Sequence, residues 1–172
     1  MKKVHLLLLL IIVISSCNSV KRYCGFCLLI PRHIEIPLYK SPHSIDVSDY
    51  IINDTINEDY PLIAIQTIKD SVALVFVEYP MGTKPNTKGW IQLRYLGIFL
   101  RQPSDLLPAY KSPSYDSEIF FEISRSKSQW GQFHHIIDVI DGWIQIPDPN
   151  NPEKQGWIPP EFQSTNPYTS PC

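Results

Sequence analysis

The sequence predicts an all-β protein built from two copies of one small module, and three observations carry that prediction. The stretch Ile36-Pro37-Leu38-Tyr39-Lys40-Ser41-Pro42 returns as Leu107-Pro108-Ala109-Tyr110-Lys111-Ser112-Pro113, with the Tyr-Lys-Ser-Pro core unchanged. A Gly-Trp-Ile strand recurs at Gly89–Ile91, Gly142–Ile144 and Gly156–Ile158. Sixteen prolines interrupt most windows in which a helix could form, and beyond the first residues no long apolar stripe has helical spacing. Short strands joined by polar turns indicate a small barrel or sandwich in each copy.

Taken in order, each copy reads as strands and turns. Leu62–Ile68 and Val72–Tyr79 are rich in Val, Ile and aromatic residues, and Lys69-Asp70-Ser71 turns the chain between them. A polar loop then leads to Lys88–Leu93. In the second copy Phe133–Ile140 and Trp143–Ile146 flank Asp141-Gly142, a strong hairpin signal. Asp148–Lys154 leads on to Gln155–Pro160, and Gly97–Ser104 connects the copies. Phe76 and Trp90 stand as far apart as Trp143 and Trp157, which pairs Phe76 with Trp143 across the repeat. The openings and the closing strands are offset by slightly different amounts, so short insertions separate the copies.

Side chains two apart share a strand face. Ile144 and Ile146 therefore oppose Trp143 and Gln145, Val77 and Tyr79 oppose Phe76 and Glu78, and Ile91 and Leu93 oppose Trp90 and Gln92. The aliphatic members form the core. Tyr39, Trp90, Tyr110, Trp143 and Trp157 are the candidate ligand-binding residues, with Gln92, Gln145 and Glu78 as polar neighbours. The alternative is that these rings only cover the open end of a small barrel.

The first residues read as an address. Lys2 and Lys3 precede the unbroken apolar run Leu6–Ile14. That run is shorter than the roughly 20 residues a bilayer span needs and suits a signal-peptide core. Ile14-Ser15-Ser16-Cys17 resembles the lipobox of bacterial lipoproteins, which implies lipidation of Cys17 and a stable membrane anchor in the bacterial cell envelope, facing the periplasm. Loss of residues 1–16 removes Lys2 and Lys3, so the formal charge falls from −2 to about −4. A mildly acidic chain without a basic stripe offers nucleic acid no electrostatic footprint.

The repeated set of motifs resembles the bacterial SH3-like domain. Each copy has the Tyr-Lys-Ser-Pro opening, an aromatic hairpin and a closing Gly-Trp-Ile followed by a hydrophobic residue, Leu96 or Phe162. The usual Arg of the opening turn is replaced by Tyr39 and Tyr110. The resemblance implies two small SH3-like barrels in tandem, at 33–98 and 105–164. Ahead of them come a signal peptide at 1–16 and a lipidated linker at 17–32, and a tail follows at 165–172. It also implies binding and no catalysis: a membrane-anchored module that holds a cell-wall (peptidoglycan) peptide or an envelope protein. The alternative is a structural subunit of an envelope complex or an immunity-like inhibitor.

Residues that invite chemistry fit it poorly. Cys24-Gly25-Phe26-Cys27 has redox spacing but lies in the tether, outside the βαβ context such motifs require. A structural disulfide suits an oxidising compartment better, with the pairing among Cys24, Cys27 and Cys172 left open. His134 and His135 are adjacent in a strand, so they point to opposite faces and share no metal. No other Cys, His or acid spacing suggests zinc, no Gly-rich loop suggests a phosphate, and no cofactor is expected. No Ser-His-Asp or Cys-His arrangement supports a nucleophile.

Overall fold

The chain is described here from a computed structural model, which covers residues 35–54, 56–101, 106–124 and 133–164, together with the backbone of Cys27–Leu28. The expected signal peptide, Cys17 and the Cys24 and Cys172 thiols lie outside the described residues.

The described residues are all-β, with two single-turn 3₁₀ helices. In chain order the strands are β1 (Cys27–Leu28), β2 (Ile36–Tyr39), β3 (Val47–Ile51), β4 (Leu62–Lys69), β5 (Val72–Glu78), β6 (Thr87–Gln92) and β7 (Leu96–Leu100). They continue with β8 (Leu106–Tyr110), β9 (Ile119–Ser124), β10 (Phe133–His135), β11 (Asp138–Ile140), β12 (Trp143–Asp148), β13 (Asn151–Ile158) and β14 (Gln163–Ser164). The 3₁₀ turns are Leu93–Tyr95 and Pro160–Phe162.

Three antiparallel sheets result. The first has strand order β3-β2-β6-β5-β4, and the second has β9-β8-β13-β12-β11. These are the same path, strand for strand. The agreement extends to detail. Tyr39 pairs with Trp90 and Tyr110 with Trp157, and the outer strand shifts register between Leu38 and Tyr39 as it does between Ala109 and Tyr110. A 3₁₀ turn follows the closing strand in both repeats.

The third sheet joins them. β7 carries β10 on one edge, while β1 and β14 share the other. Leu96 and Ile98 are buried here, so the stretch from Gly97 expected to be a connector begins as strand to Leu100. Gly97 permits this packing, because a Cβ there would overlap the Phe133 ring. Buried side chains of both repeats form one continuous core, with Leu96, Ile98 and Ile136 between the two sets. Each buried isoleucine contributes about 2 kcal/mol of hydrophobic stabilisation. Sharing the core offsets the marginal stability of a module of about 65 residues.

Local sequence explains the turns. Asp141 (φ 51°) and Gly142 (φ 90°) make the two-residue hairpin turn between β11 and β12, both in the left-handed region such turns need. Asp70 (φ 56°) and Ser71 turn β4 into β5, with Lys69 opposite Val72. The expected strand Phe133–Ile140 is broken at Ile136-Ile137. Its first part, β10, pairs with β7, and its second, β11, pairs with β12.

The hairpin connections differ between repeats, and this corrects the pairing of Phe76 with Trp143. Pro149-Asn150 alone turns β12 into β13, whereas the chain from Tyr79 to Asn86 makes a wide loop between β5 and β6. Asp59 anchors that loop, accepting hydrogen bonds from the Met81 and Thr83 N–H groups and the Thr83 hydroxyl at 3.1, 3.0 and 2.7 Å. Register settles the equivalence: Leu74 opposes Trp90 and Gln145 opposes Trp157. Leu74 is therefore the counterpart of Gln145, and Val72 the counterpart of Trp143. The equal aromatic spacing in sequence arises from different positions and a different loop length.

Candidate functional site

The Gly-Trp-Ile signature has a separate physical reason at each residue. The glycines of β6 and β13 lie where the opening strand crosses closely. A Cβ on Gly89 would stand 2.9 Å from the Leu38 Cβ, and one on Gly156 would stand 2.8 Å from the Ala109 Cβ and 2.6 Å from the Phe121 ring. The isoleucines, Ile91 and Ile158, are fully buried on the inner face. The tryptophans point to the outer face, each beside the tyrosine of its opening strand.

On the first repeat that outer face is open. Alternation along β2 puts Pro37 and Tyr39 on it, β6 adds Trp90 and Gln92, and β5 adds Val72. Tyr39, Trp90, Gln92 and Val72 are each half-buried. The loop between β2 and β3 rises beside them and carries Ile45, which is 92% exposed, and Tyr50 on β3 is 43% exposed. With Pro42, Ser44 and Val47, these side chains line a groove of about 440 Å³, and Trp90 flanks Tyr39 outside that lining. Its walls are tyrosine, proline and aliphatic side chains, and its polar groups are Gln92, Ser44 and the tyrosine hydroxyls. Among the described residues no charged side chain lines it. Such a surface favours a partly apolar ligand with a few hydrogen-bonding groups.

On the second repeat the equivalent space is filled. Trp143, at the position of Val72, is 6% exposed and lies under two tyrosines. Its ring centroid is 5.5 Å from that of Tyr110 and 4.8 Å from that of Tyr115, both edge-on. Tyr115 comes from the loop equivalent to the one carrying Ile45. Its hydroxyl donates to the Glu161 carboxylate at 2.7 Å. That bond, with some desolvation and the Glu161 charge, pushes the phenol up to about 12. The loop itself is stitched by Ser112 N–H to the Ser117 hydroxyl at 3.0 Å and by the Lys111–Glu118 ion pair at 2.9 Å.

Of the five expected ligand-binding residues, Tyr39 and Trp90 meet on the open face. Tyr110, Trp143 and Trp157 meet on the filled one, where Trp157 is also 6% exposed. Glu78 is exposed at the end of β5. Trp143 is nearly covered on this face, because Tyr110 and Tyr115 lie over it. Sequence reading also missed Val72, Ile45, Tyr50 and Tyr115. An aliphatic residue alone in a polar loop was the available signal for Ile45, and an aromatic at the matching loop was the signal for Tyr115.

The histidine pair sits as its strand position requires: His134 is buried and His135 exposed. Burial, reinforced by the neighbouring His135, pushes the His134 imidazole down to about 4. Among the described residues no group of three or more His, Cys, Asp or Glu side chains is placed to hold a metal ion. Among them, too, no helix is long and apolar enough to cross a membrane. Comparison with known proteins gives no match to a family model and no significant match to a curated protein.

Proposed function

We propose that the chain is a membrane-anchored envelope lipoprotein with two tandem SH3-like domains, acting as a non-catalytic binding module for a cell-wall peptide or a protein partner. Cys17 is the lipidated residue and the membrane attachment. The observation that carries the binding role is the open groove of the first repeat, walled by Tyr39, Tyr50 and Ile45 on a five-stranded sheet. The same strand order in both repeats, with a 3₁₀ turn after each closing strand, supports the SH3-like reading. A groove built on sheet strands is preorganised, which lowers the entropic cost of holding a flexible ligand.

The test compares wild-type protein with the double variant Ile45→Asp, Tyr50→Ala. Detergent-solubilised full chain is incubated separately with insoluble cell wall and with envelope extract. Wild type retains one of the two materials, and the double variant loses at least about ten-fold of that retention. Retention of neither material by wild type contradicts a binding role. Hydrolysis of cell wall by the purified chain contradicts the non-catalytic reading.

A further inference from the structure

The second repeat fills with its own side chains the space that the first leaves open. From this we infer that the groove of the first repeat seats an aromatic side chain of a partner protein, with a carboxylate of that partner beside the ring and against Arg94. The inference rests on the binding role proposed above and names the partner class.

The second repeat acts as an internal template. The opening tyrosine and closing tryptophan are the same in both repeats, Tyr39 with Trp90 and Tyr110 with Trp157. Pro37 also recurs as Pro108, while Gln92 stands where the second repeat has Pro159 and Tyr50 where it has Glu122; two further differences decide the space, one in the floor and one in the loop. In the floor, Val72, which lines the groove, replaces Trp143. In the loop, Ser44 and Ile45 stand where the second repeat carries Tyr115. Where the template is occupied, both occupants are aromatic, and they meet edge-on at 4.8 Å. Edge-on aromatic pairs are worth about 0.5–1.5 kcal/mol beyond area burial, so a ring is favoured over an aliphatic group of equal size.

The carboxylate follows from a reversal of charge. Glu161 accepts the hydrogen bond of Tyr115, and it is the middle residue of its 3₁₀ turn. The middle residue of the corresponding turn is Arg94. A guanidinium has only donors to offer, and its forked geometry suits a carboxylate. Arg94 is exposed, and its side chain lies over the Tyr95 ring at 4.9 Å while donating to the Tyr95 hydroxyl at 3.0 Å. Arg94 lies outside the lining of the groove, at the position equivalent to Glu161, so an occupant placed as Tyr115 is placed reaches a cation where Tyr115 meets an anion. A phenol donor suits the second repeat, and an aromatic residue with an adjoining carboxylate suits the first.

The test uses full-length protein in detergent, labelled at its tryptophan indoles, and three probes: acetyl-Gly-Ala-Trp with a free carboxylate, its C-terminal amide, and acetyl-Gly-Ala-Ala with a free carboxylate. Addition of the first probe shifts the Trp90 indole signal to saturation and leaves those of Trp143 and Trp157 in place. The amide binds at least five-fold more weakly, as does the free-acid probe to Arg94→Glu. The alanine probe binds at least ten-fold more weakly. Val72→Trp, which supplies the first groove with the ring of the second, abolishes the response. If that variant fails to fold, Arg94→Glu and the probe series still decide the matter. Equal binding of the alanine and tryptophan probes overturns the inference, and so does a response at Trp143 or Trp157 in place of Trp90. Retention of cell wall by wild type and Val72→Trp alike overturns it while leaving a binding role standing. Retention of no probe, cell wall or envelope protein overturns both.

Discussion

The two repeats differ most where they would be expected to agree. Their strand order, opening bulge and tyrosine–tryptophan pair coincide. The outer face is nevertheless a groove in one and a packed aromatic cluster in the other. One β scaffold supports either outcome because the two inner faces are built from matching buried aliphatic residues. Ile36, Leu38, Val75 and Ile91 of the first repeat match Leu107, Ala109, Ile146 and Ile158 of the second, and all are buried in one core. The outer face is then free to vary, and in the second repeat Trp143 and Tyr115 together fill it.

That contrast is broken most severely at the filled floor. Trp143→Ala removes a buried ring from beneath two tyrosines and costs about 3–5 kcal/mol. Val72→Ala, at the same place in the open repeat, costs about 1 kcal/mol. Chemical denaturation of the two variants measures the difference, and equal losses would show that the faces are packed alike.

A comparable effect is expected where the repeats join. Gly97→Ala drives a methyl group into the Phe133 ring and costs about 3 kcal/mol, since the clash separates β7 from β10. Thermal melting distinguishes a joined core from independent units. The account expects one cooperative transition that moves as a whole, whereas independent repeats give two transitions.

His134 tunes that same sheet. Its folded-state value of about 4 lies below the ordinary 6.5, so the unfolded chain binds the proton more readily. Stability conferred by the neutral ring is complete above pH 6.5 and is lost as the pH falls toward 4. The loss amounts to about 3 kcal/mol. His134→Leu flattens the pH dependence of denaturation over that window, and an unchanged profile would contradict burial of the imidazole.

The smallest effect concerns the loop of the filled repeat. Glu161→Gln takes away the acceptor charge that holds the Tyr115 phenol up near 12, so the phenol titrates closer to 10. Ultraviolet titration reads this directly. The change in stability near neutral pH is well under 1 kcal/mol, because Tyr115 is exposed.

Much of the inner face was legible in the sequence, and little of the outer one. Ile144 and Ile146 alternate with polar or aromatic neighbours, so strand periodicity assigns them to the core. Asp141-Gly142 names its own turn through a backbone preference. The equivalence of Trp143 with Phe76 was misread because equal spacing in sequence concealed unequal hairpin loops. Only register, Gln145 opposite Trp157 and Leu74 opposite Trp90, separates the two readings. The strand Leu96–Leu100 is not legible as such because two of its three partners, β10 and β14, belong to the other repeat and the third, β1, lies ahead of both. Whether an outward ring is wet or covered depends on a loop residue such as Tyr115, and no local pattern announces that contact.

The central claim is that the first repeat carries the binding face and the second has closed its own. Hydroxyl-radical footprinting of the full chain, alone and with the envelope component it retains, measures this directly. The account predicts protection at Ile45, Tyr39 and Tyr50, with Tyr115 and Ile119 unchanged. Protection at Tyr115 and Ile119, with Ile45 and Tyr50 still reactive, would contradict it.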